Sequence, residues 1–210
     1  MSSELIAALE AHACADAKER ADRDAILALL RSGKDAFARA TFEPGHVTGS
    51  AFVLDAKEER LLMLHHRKLG RWLQPGGHAD PGETDPLATA LREAREETGI
   101  EGLLPHPRAP RPFDVDVHVI PERKGVRGAE RLAGGPGDLP REQAEPEHRH
   151  HDVRYLLIAP AGAEPAVSAE SNALAWRPLA EAASPDADPA LRRAIGKVRF
   201  LTFRPARCPR

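Results

Sequence analysis

The segment from Gly76 to Gly102 constrains the fold most, because it joins a glycine-rich turn to a helix with clear signals at both ends. Asp85 is a good N-cap residue, and Pro86 suits the first helical position. Gly99 can end the helix in the left-handed conformation that favours glycine. The sequence therefore predicts a loop, a helix from about Pro86 to Thr98, and a second loop.

The predicted helix carries Glu93, Glu96 and Glu97 at spacings of i, i+3 and i+4, opposite or alongside an apolar stripe of Leu87, Leu91 and Ala94. Like charges at these spacings repel each other. One interpretation is a solvated acidic face. The other is a cation site, because Glu93 and Glu97 have no basic residue one turn onward. Carboxylates that face a loop with free carbonyls suit Mg²⁺, which keeps positions for water and substrate phosphates.

This segment resembles the Nudix hydrolase signature, G-x5-E-x7-R-E-U-x-E-E-x-G-U, in which U is a bulky apolar residue. Gly77 and Glu83 match its first half, and "REAREETGI" (92–100) matches its second half. Eight residues, "TDPLATAL", separate Glu83 from Arg92 where the pattern has seven. We expect the loop before Pro86 to absorb the additional residue.

The resemblance implies a Mg²⁺- or Mn²⁺-dependent hydrolase. It would cut a diphosphate bond in a nucleoside diphosphate linked to another moiety, or in a nucleoside triphosphate. By this resemblance Glu93, Glu96 and Glu97 hold the metal together with the carbonyl of Gly76 or Gly77, and Arg92 orients the glutamates. A bound divalent ion neutralises phosphate charge and lowers the pKa of a bound water, so that in-line displacement then needs mainly positioning.

The residue that takes the proton from water is left open by the sequence. Glu93 is one candidate for this base. Glu170 in "SAESNALAWRPL" is another, since that stretch resembles the late Nudix loop that often supplies a catalytic glutamate. Glu83 completes the set of catalytic candidates with Arg92.

Strand and helix patterns along the chain predict an α/β fold with a mixed β-sheet, which the resemblance specifies as a Nudix-type α/β/α sandwich. Residues 1–42 form a predicted N-terminal helical extension, residues 43–203 the Nudix hydrolase domain, and residues 204–210 a tail. Residues 122–147 are rich in glycine, proline and charge, which indicates a mobile loop. The N-terminal helices are candidates for a homodimer surface or for a lid over the site.

Histidines and aspartates recur on two predicted strands. Asp114, Asp116 and His118 share one strand face, and His148, His150 and Asp152 share a face of the next, because side chains alternate along a strand. His65, His66 and His78 add three more near the predicted site. Three interpretations compete: polar residues that satisfy each other, a substrate pocket, or a second metal site for Zn²⁺ or Mn²⁺. The predicted substrate contacts are His118, His148, His150, Asp152 and Arg67.

Composition limits the partners and the compartment. The formal net charge of −2 over 210 residues lacks the basic surplus of a bulk nucleic-acid binder, so we expect no DNA partner. No apolar run approaches the ~18 residues of a membrane span, and two distant cysteines indicate neither a disulfide framework nor a zinc ribbon. We expect a soluble cytoplasmic protein that acts on a small nucleotide or other diphosphate.

Longer phrases, "RKLGRWLQPGGHADPGE", "DVDVHVIPER" and "EPEHRHHDVRYLL", resemble a bacterial Nudix subgroup with no assigned substrate, over about residues 42 to 180. Two other functions stay open on the same fold. A non-catalytic, nucleotide-sensing domain is the first alternative, although such domains usually lose a metal glutamate. A prenyl diphosphate isomerase is the second, but such enzymes rely on a catalytic cysteine, and Cys14 and Cys208 lie far from the predicted core.

Overall fold

One mixed β-sheet with helices on both faces organises the chain. The computed structural model describes residues 2–67, 70–123, 144–166, 171–183 and 187–203. The helices are α1 (Ser2–Glu10), α2 (Ala17–Arg31), α3 (Pro86–Thr98) and α4 (Pro189–Thr202). The strands are β1 (His46–Leu54), β2 (Arg60–His66), β3 (Arg71–Leu73), β4 (Gly76–His78), β5 (Leu104–Pro105), β6 (Asp114–Ile120), β7 (His148–Ile158) and β8 (Ser171–Pro178).

The centre of the sheet is the parallel pair β1 and β7, in register from His46 opposite His150 to Leu54 opposite Ile158. The strands follow the order β3-β2-β1-β7-β5, and every other pairing is antiparallel within the described ranges. Three more strands lie off this path: β4 pairs with β1, β6 with β7, and β8 with β2. The strands β4, β1, β7 and β6 are therefore neighbours in that order.

The two faces of the sheet bury separate cores. Leu9 of α1, Ile26 of α2 and Ala94 of α3 pack in one core with alternate residues of β1 and β7 such as Val53 and Val153. The intervening residues, such as Phe52 and Leu156, pack against α4 on the other face. The prediction of an α/β/α sandwich with a mixed sheet and N-terminal helices is confirmed, and these helices share the core of the sheet.

The helix α3 begins and ends where its capping residues predicted. The Asp85 carboxylate accepts a hydrogen bond from the Leu87 amide at 3.0 Å, and Gly99 closes the helix with φ of 68°. The burial of this helix differs from the predicted stripe: Leu87 and Leu91 are only partly buried. Thr89 and Glu97 are buried instead, beside the fully buried Ala90 and Ala94.

A glycine in β1 explains how α3 comes so close to the sheet. A Cβ atom on Gly49 would lie 2.4 Å from the carbonyl oxygen of Pro86 and 2.9 Å from Cβ of Thr89. No side chain other than hydrogen fits this gap. The helix therefore lies directly on β1. Gly49 pairs with Gly77 of the neighbouring strand β4, so the helix also lies close to Gly77.

Several predicted features lie outside the described residues: Glu170, the tail 204–210, and residues 124–143 of the predicted mobile loop. The two described ends of that loop meet, since Arg123 and Glu145 form an antiparallel bridge. No helix in the described ranges is long and apolar enough to cross a membrane.

Candidate active site

Arg92, in the middle of α3, bonds carboxylates of the same helix and of the loop before it. Its Nη1 donates to Glu93 at 2.9 Å and to Glu96 at 3.2 Å. Its Nη2 donates to the His78 carbonyl at 2.7 Å and to Glu83 at 3.3 Å. Burial alone would lower the pKa of Arg92, but the bonds and charges of Glu93 and Glu83 raise that pKa above its ordinary value. The guanidinium thus offsets the repulsion between the glutamates.

Two glutamates of α3 converge on the backbone of β4. The Glu97 side chain is almost fully buried and accepts a hydrogen bond from the Gly76 amide at 2.8 Å. Glu93 lies against Gly77, where an added Cβ would come within 2.5 Å of a carboxylate oxygen. Glu96 differs from both, because 52% of its side chain is exposed. Glu93 and Glu97 therefore face the glycine turn, and Glu96 is linked to Glu93 through Arg92.

Glu83 joins this group although one additional residue precedes Arg92. Its carboxylate accepts from the Asp80 amide at 3.0 Å and from the Thr89 hydroxyl at 2.8 Å. Burial raises the pKa of Glu83, and these bonds together with Arg92 outweigh burial, so the pKa falls below its ordinary value. The loop before Pro86 absorbs the insertion, and Glu83 is held ionised beside Arg92.

This set of donors fits a hard divalent cation. Mg²⁺ and Mn²⁺ prefer carboxylate, carbonyl and water oxygens. Glu93, Glu96 and Glu97 supply carboxylates from adjacent helical turns, and Gly77 leaves the space beside Glu93 clear of any side chain. These residues could hold such an ion.

Five histidines form a second group, here called the histidine cluster, on the strands β1, β4, β6 and β7: His46, His78, His118, His148 and His150. Neighbouring rings have centroids between 4.8 and 5.5 Å apart. The predicted face-sharing of β6 and β7 is confirmed by their register, which places His118 opposite His150.

Sequence reasoning missed His46, which enters the cluster through the parallel pairing of β1 with β7. The alternation of His46, Thr48 and Ser50 indicates that these three side chains share one face of a strand. The pairing of that strand with β7 is not visible in the sequence. Sequence reasoning also placed His65 near the site. That residue lies on β2, where its ring packs edge-on against Trp72 at 5.3 Å.

Asp152 lies beneath the cluster, in a buried polar network. Its carboxylate accepts from Thr48 at 3.1 Å, from Ser50 at 2.8 Å and from Arg154 at 2.8 Å. Arg154 is itself buried, and the surrounding aspartates raise the pKa of its guanidinium against the opposing effect of burial. In this position Asp152 ties β1 to β7.

The other predicted substrate contacts differ in access. His118 is exposed over 43% of its side chain, whereas His148 is buried and His150 is half-buried. Arg67 lies exposed in the turn after β2, a strand that carries no member of the cluster. Substrate binding by these residues stays a prediction.

The sequence of the chain was compared with models of known protein families. Residues 45–197 match the model of the NUDIX domain. The chain belongs to the Nudix family. The solved Nudix-fold structures it resembles include an Ap4A hydrolase of C. elegans in a binary complex, with a TM-score of 0.50 and 18% identity over 74% of this chain and 96% of that one. At this identity the likeness shows the fold alone.

Curated relatives of this Nudix chain match over shorter stretches. A bis(5'-nucleosyl)-tetraphosphatase (asymmetrical) of Mus musculus is 58% identical over 43 residues, which are 20% of this chain and 29% of that protein. A probable DHNTP pyrophosphohydrolase of Lactococcus lactis is 33% identical over 114 residues, 51% of this chain and 52% of that protein. An RNA pyrophosphohydrolase of Erythrobacter litoralis is 36% identical over 88 residues, 40% and 53% respectively. The chain thus spans about a third to a half of the length of these relatives.

Proposed function

We propose that this Nudix chain is a Mg²⁺- or Mn²⁺-dependent diphosphatase. Its substrate is a nucleoside diphosphate linked to another moiety, or a nucleoside triphosphate, and the bond it cuts is a phosphoric anhydride. The observation that carries the proposal is the arrangement in which Glu93 and Glu97 meet the Gly76–Gly77 backbone while Arg92 bonds Glu93 and Glu96.

We assign two roles to the residues of this site: some bind the ion, and others orient the residues that bind it. We assign Glu93, Glu96, Glu97 and the Gly77 carbonyl to the ion. Such an ion neutralises phosphate charge and lowers the pKa of water that it binds. Arg92 fixes the carboxylates of Glu93 and Glu96, and the Gly76 amide fixes that of Glu97, so little reorganisation is needed during the reaction.

Proton removal from the attacking water is the task we assign to Glu93, with Glu170 and Glu83 as the alternatives. Glu93 is favoured because its carboxylate lies against the backbone of Gly77, which we assign to the ion. Glu83 is less suited, because its carboxylate already accepts hydrogen bonds from Asp80, Thr89 and Arg92. On the substrate side we assign His118 and Arg67 to contacts with the nucleotide, since both are exposed.

The names of the curated relatives support the reaction class and suggest which compounds to try first. They refer to dinucleoside tetraphosphates, to DHNTP and to RNA. All three reactions break phosphoric anhydride bonds next to a nucleoside or a similar heterocycle. The substrate of this chain is expected to share that chemistry.

The test is a panel of diphosphate compounds assayed with Mg²⁺ and with Mn²⁺ for released phosphate, pyrophosphate or nucleotide. The panel holds dinucleoside polyphosphates, nucleoside triphosphates, dihydroneopterin triphosphate and 5'-triphosphorylated RNA. Glu96→Gln and Glu97→Gln should each lower kcat by more than the roughly 10- to 100-fold typical of changes beside a metal site. Glu101→Gln, on an exposed residue just beyond α3, is the matched control and should retain full activity.

Two results would count against the proposal. Full activity in Glu96→Gln and Glu97→Gln would remove the metal assignment. Tight nucleotide binding without turnover of any compound, with either ion, would instead support the nucleotide-sensing alternative.

A further inference from the structure

The histidine cluster lies on the face of the sheet opposite to α3. Gly77 points toward Glu93 on the α3 side, and the next residue of β4, His78, alternates to the other side. His78, His46, His150 and His118 stand on the neighbouring strands β4, β1, β7 and β6. The cluster is therefore separate from the glutamates, although it shares β4 with them.

We propose that His46, His148 and His150 form a binding site for a transition-metal ion such as Zn²⁺. These three side chains offer ligand atoms that all lie within 4.8 Å of one another. Zinc binds imidazole nitrogens at about 2.0–2.1 Å in a tetrahedral arrangement. The fourth position of such a site would lie beside His78, whose Nε2 is 3.1 Å from Nε2 of His150.

The hydrogen bonds of two rings already set the nitrogen that a metal needs. Nδ1 of His148 lies 2.8 Å from the Pro146 carbonyl, and Nδ1 of His46 lies 3.3 Å from the Thr41 carbonyl. A carbonyl only accepts, so each Nδ1 carries a hydrogen, and in the neutral ring Nε2 is then the nitrogen with the lone pair. A ring that donates one N–H to a carbonyl and offers its other nitrogen is the usual arrangement of a metal-binding histidine.

Nε2 of His46 is buried and has no hydrogen-bond partner among the described residues. Buried polar atoms in folded proteins nearly always have a partner, so this atom requires an explanation. A metal ion at the centre of the cluster would supply the missing partner. The ring of His46 also contacts those of His148 and His150, with centroids 5.1 and 5.0 Å away, so the three rings surround a common space.

The chemistry of the donors selects the class of ion. His46, His148 and His150 offer imidazole nitrogens. Imidazole donors suit zinc, copper, nickel or iron, whereas carboxylates and carbonyls suit Mg²⁺. The two groups of donors should thus take different ions.

An ion at this position would bridge β1 and β7 at the end where their parallel pairing begins, at His46 and His150. The ion would also lie close to β4, which carries Gly76 and Gly77. The same strand is joined to α3, because the His78 carbonyl accepts a hydrogen bond from Arg92 at 2.7 Å. The site is structural in this sense and does not depend on hydrolase activity.

The test uses the tag-free full chain, stripped with a chelator and titrated with Zn²⁺ in the presence of excess Mg²⁺ to occupy the carboxylates. We expect one equivalent of Zn²⁺ with a micromolar or tighter Kd. Co²⁺ as a probe should give the visible absorption of nitrogen-ligated, tetrahedral cobalt. His148→Gln and His150→Gln should each weaken Zn²⁺ binding by at least tenfold, and His65→Gln, on β2, is the matched control that should retain it.

Several results would overturn the proposal. The first is the absence of saturable Zn²⁺ binding and of the cobalt spectrum in the unmodified chain, a measurement that needs no variant to fold. The second is unchanged Zn²⁺ affinity in His148→Gln and His150→Gln. The third is loss of the Zn²⁺ equivalent in Glu96→Gln or Glu97→Gln with retention in the histidine variants, which would assign the ion to α3.

Discussion

The amide of Gly76 donates a hydrogen bond to the carboxylate of Glu97 at 2.8 Å, across 21 residues of sequence. This bond joins β4 to the last turn of α3. Since Glu97 is almost fully buried, this bond orients its carboxylate toward β4. The bond thus connects the glycine turn to the helix, and we expect substitutions that disturb their contact to affect activity more than stability.

Gly77→Ala should separate these two effects. The new Cβ would lie 2.5 Å from the Glu93 carboxylate, which must move away, while the backbone of Gly77 does not need a glycine conformation. We expect kcat to fall by at least tenfold, with a change in unfolding free energy of about 1 kcal/mol or less. Steady-state kinetics and urea denaturation measure the two. Equal kinetics in the variant and the parent chain would show that Glu93 has no role at this turn.

Gly49→Ala should destabilise the fold, because its Cβ would meet backbone atoms of α3 at 2.4 Å. Overpacking of this kind costs about 1–3 kcal/mol or more. Gly196→Ala is the matched control: this exposed glycine lies inside α4 with no atom within 4 Å of the new Cβ. It should stabilise by about 0.5–1 kcal/mol. Thermal or urea unfolding measures whether each variant is less or more stable than the parent chain. An unchanged unfolding free energy in Gly49→Ala would contradict the close approach of α3.

Arg92→Lys should abolish most of the activity although the charge is kept. One ammonium group cannot replace the planar guanidinium that reaches Glu93, Glu96 and the His78 carbonyl together. We expect a fall of roughly 100-fold in kcat/KM, by analogy with other residues that orient metal ligands. Arg95→Lys, on an exposed position of the same helix, is the control. Similar kinetics for the two variants would argue against an orienting role.

Stability should fall in acid partly through Glu19, which is buried in α2 and binds Lys197 at 2.6 Å and the Ala15 amide at 2.6 Å. Burial raises the pKa of Glu19, but bonds from His12 and Lys197 outweigh it and hold the pKa well below the ordinary 4.5. The folded state therefore resists protonation, while the unfolded state takes up a proton below pH 4.5. The stabilisation is present above that pH and is lost as pH falls.

Urea unfolding between pH 7 and pH 3 measures this contribution. Glu19→Gln should show a flatter decline of unfolding free energy below pH 4.5 than the parent chain. Glu4→Gln, on an exposed residue of α1, should follow the parent curve. Parallel curves for Glu19→Gln and the parent would rule out the linkage.

The parts of the fold that follow local rules were predictable from the sequence. The caps at Asp85 and Gly99 fixed α3, and the period-two pattern of β6 and β7 placed their polar residues on one face. The burial of Thr89 and Glu97 was not predictable in this way. Thr89 is buried because the glycine of a distant strand, Gly49, lets the helix approach closer than side chains normally allow, and Glu97 is buried where it accepts from the Gly76 amide of β4.

Long-range pairing explains the remaining differences. No local pattern reveals that β1 and β7 run parallel, so His46 could not be grouped with His148 and His150 from the sequence. The insertion before Arg92 also needed the structure, because only the path of the loop shows that Glu83 still reaches the guanidinium. In both cases tertiary contacts decide positions that spacing along the chain leaves open.

The parallel pairing of β1 and β7 determines when the histidine cluster can form during synthesis on the ribosome. His46 is synthesised before β7, the strand that supplies its partners and ends at Ile158. Parallel strands from distant parts of a chain pair slowly, because a long loop must close first. The nascent chain therefore cannot assemble the histidine cluster until β7 has been synthesised.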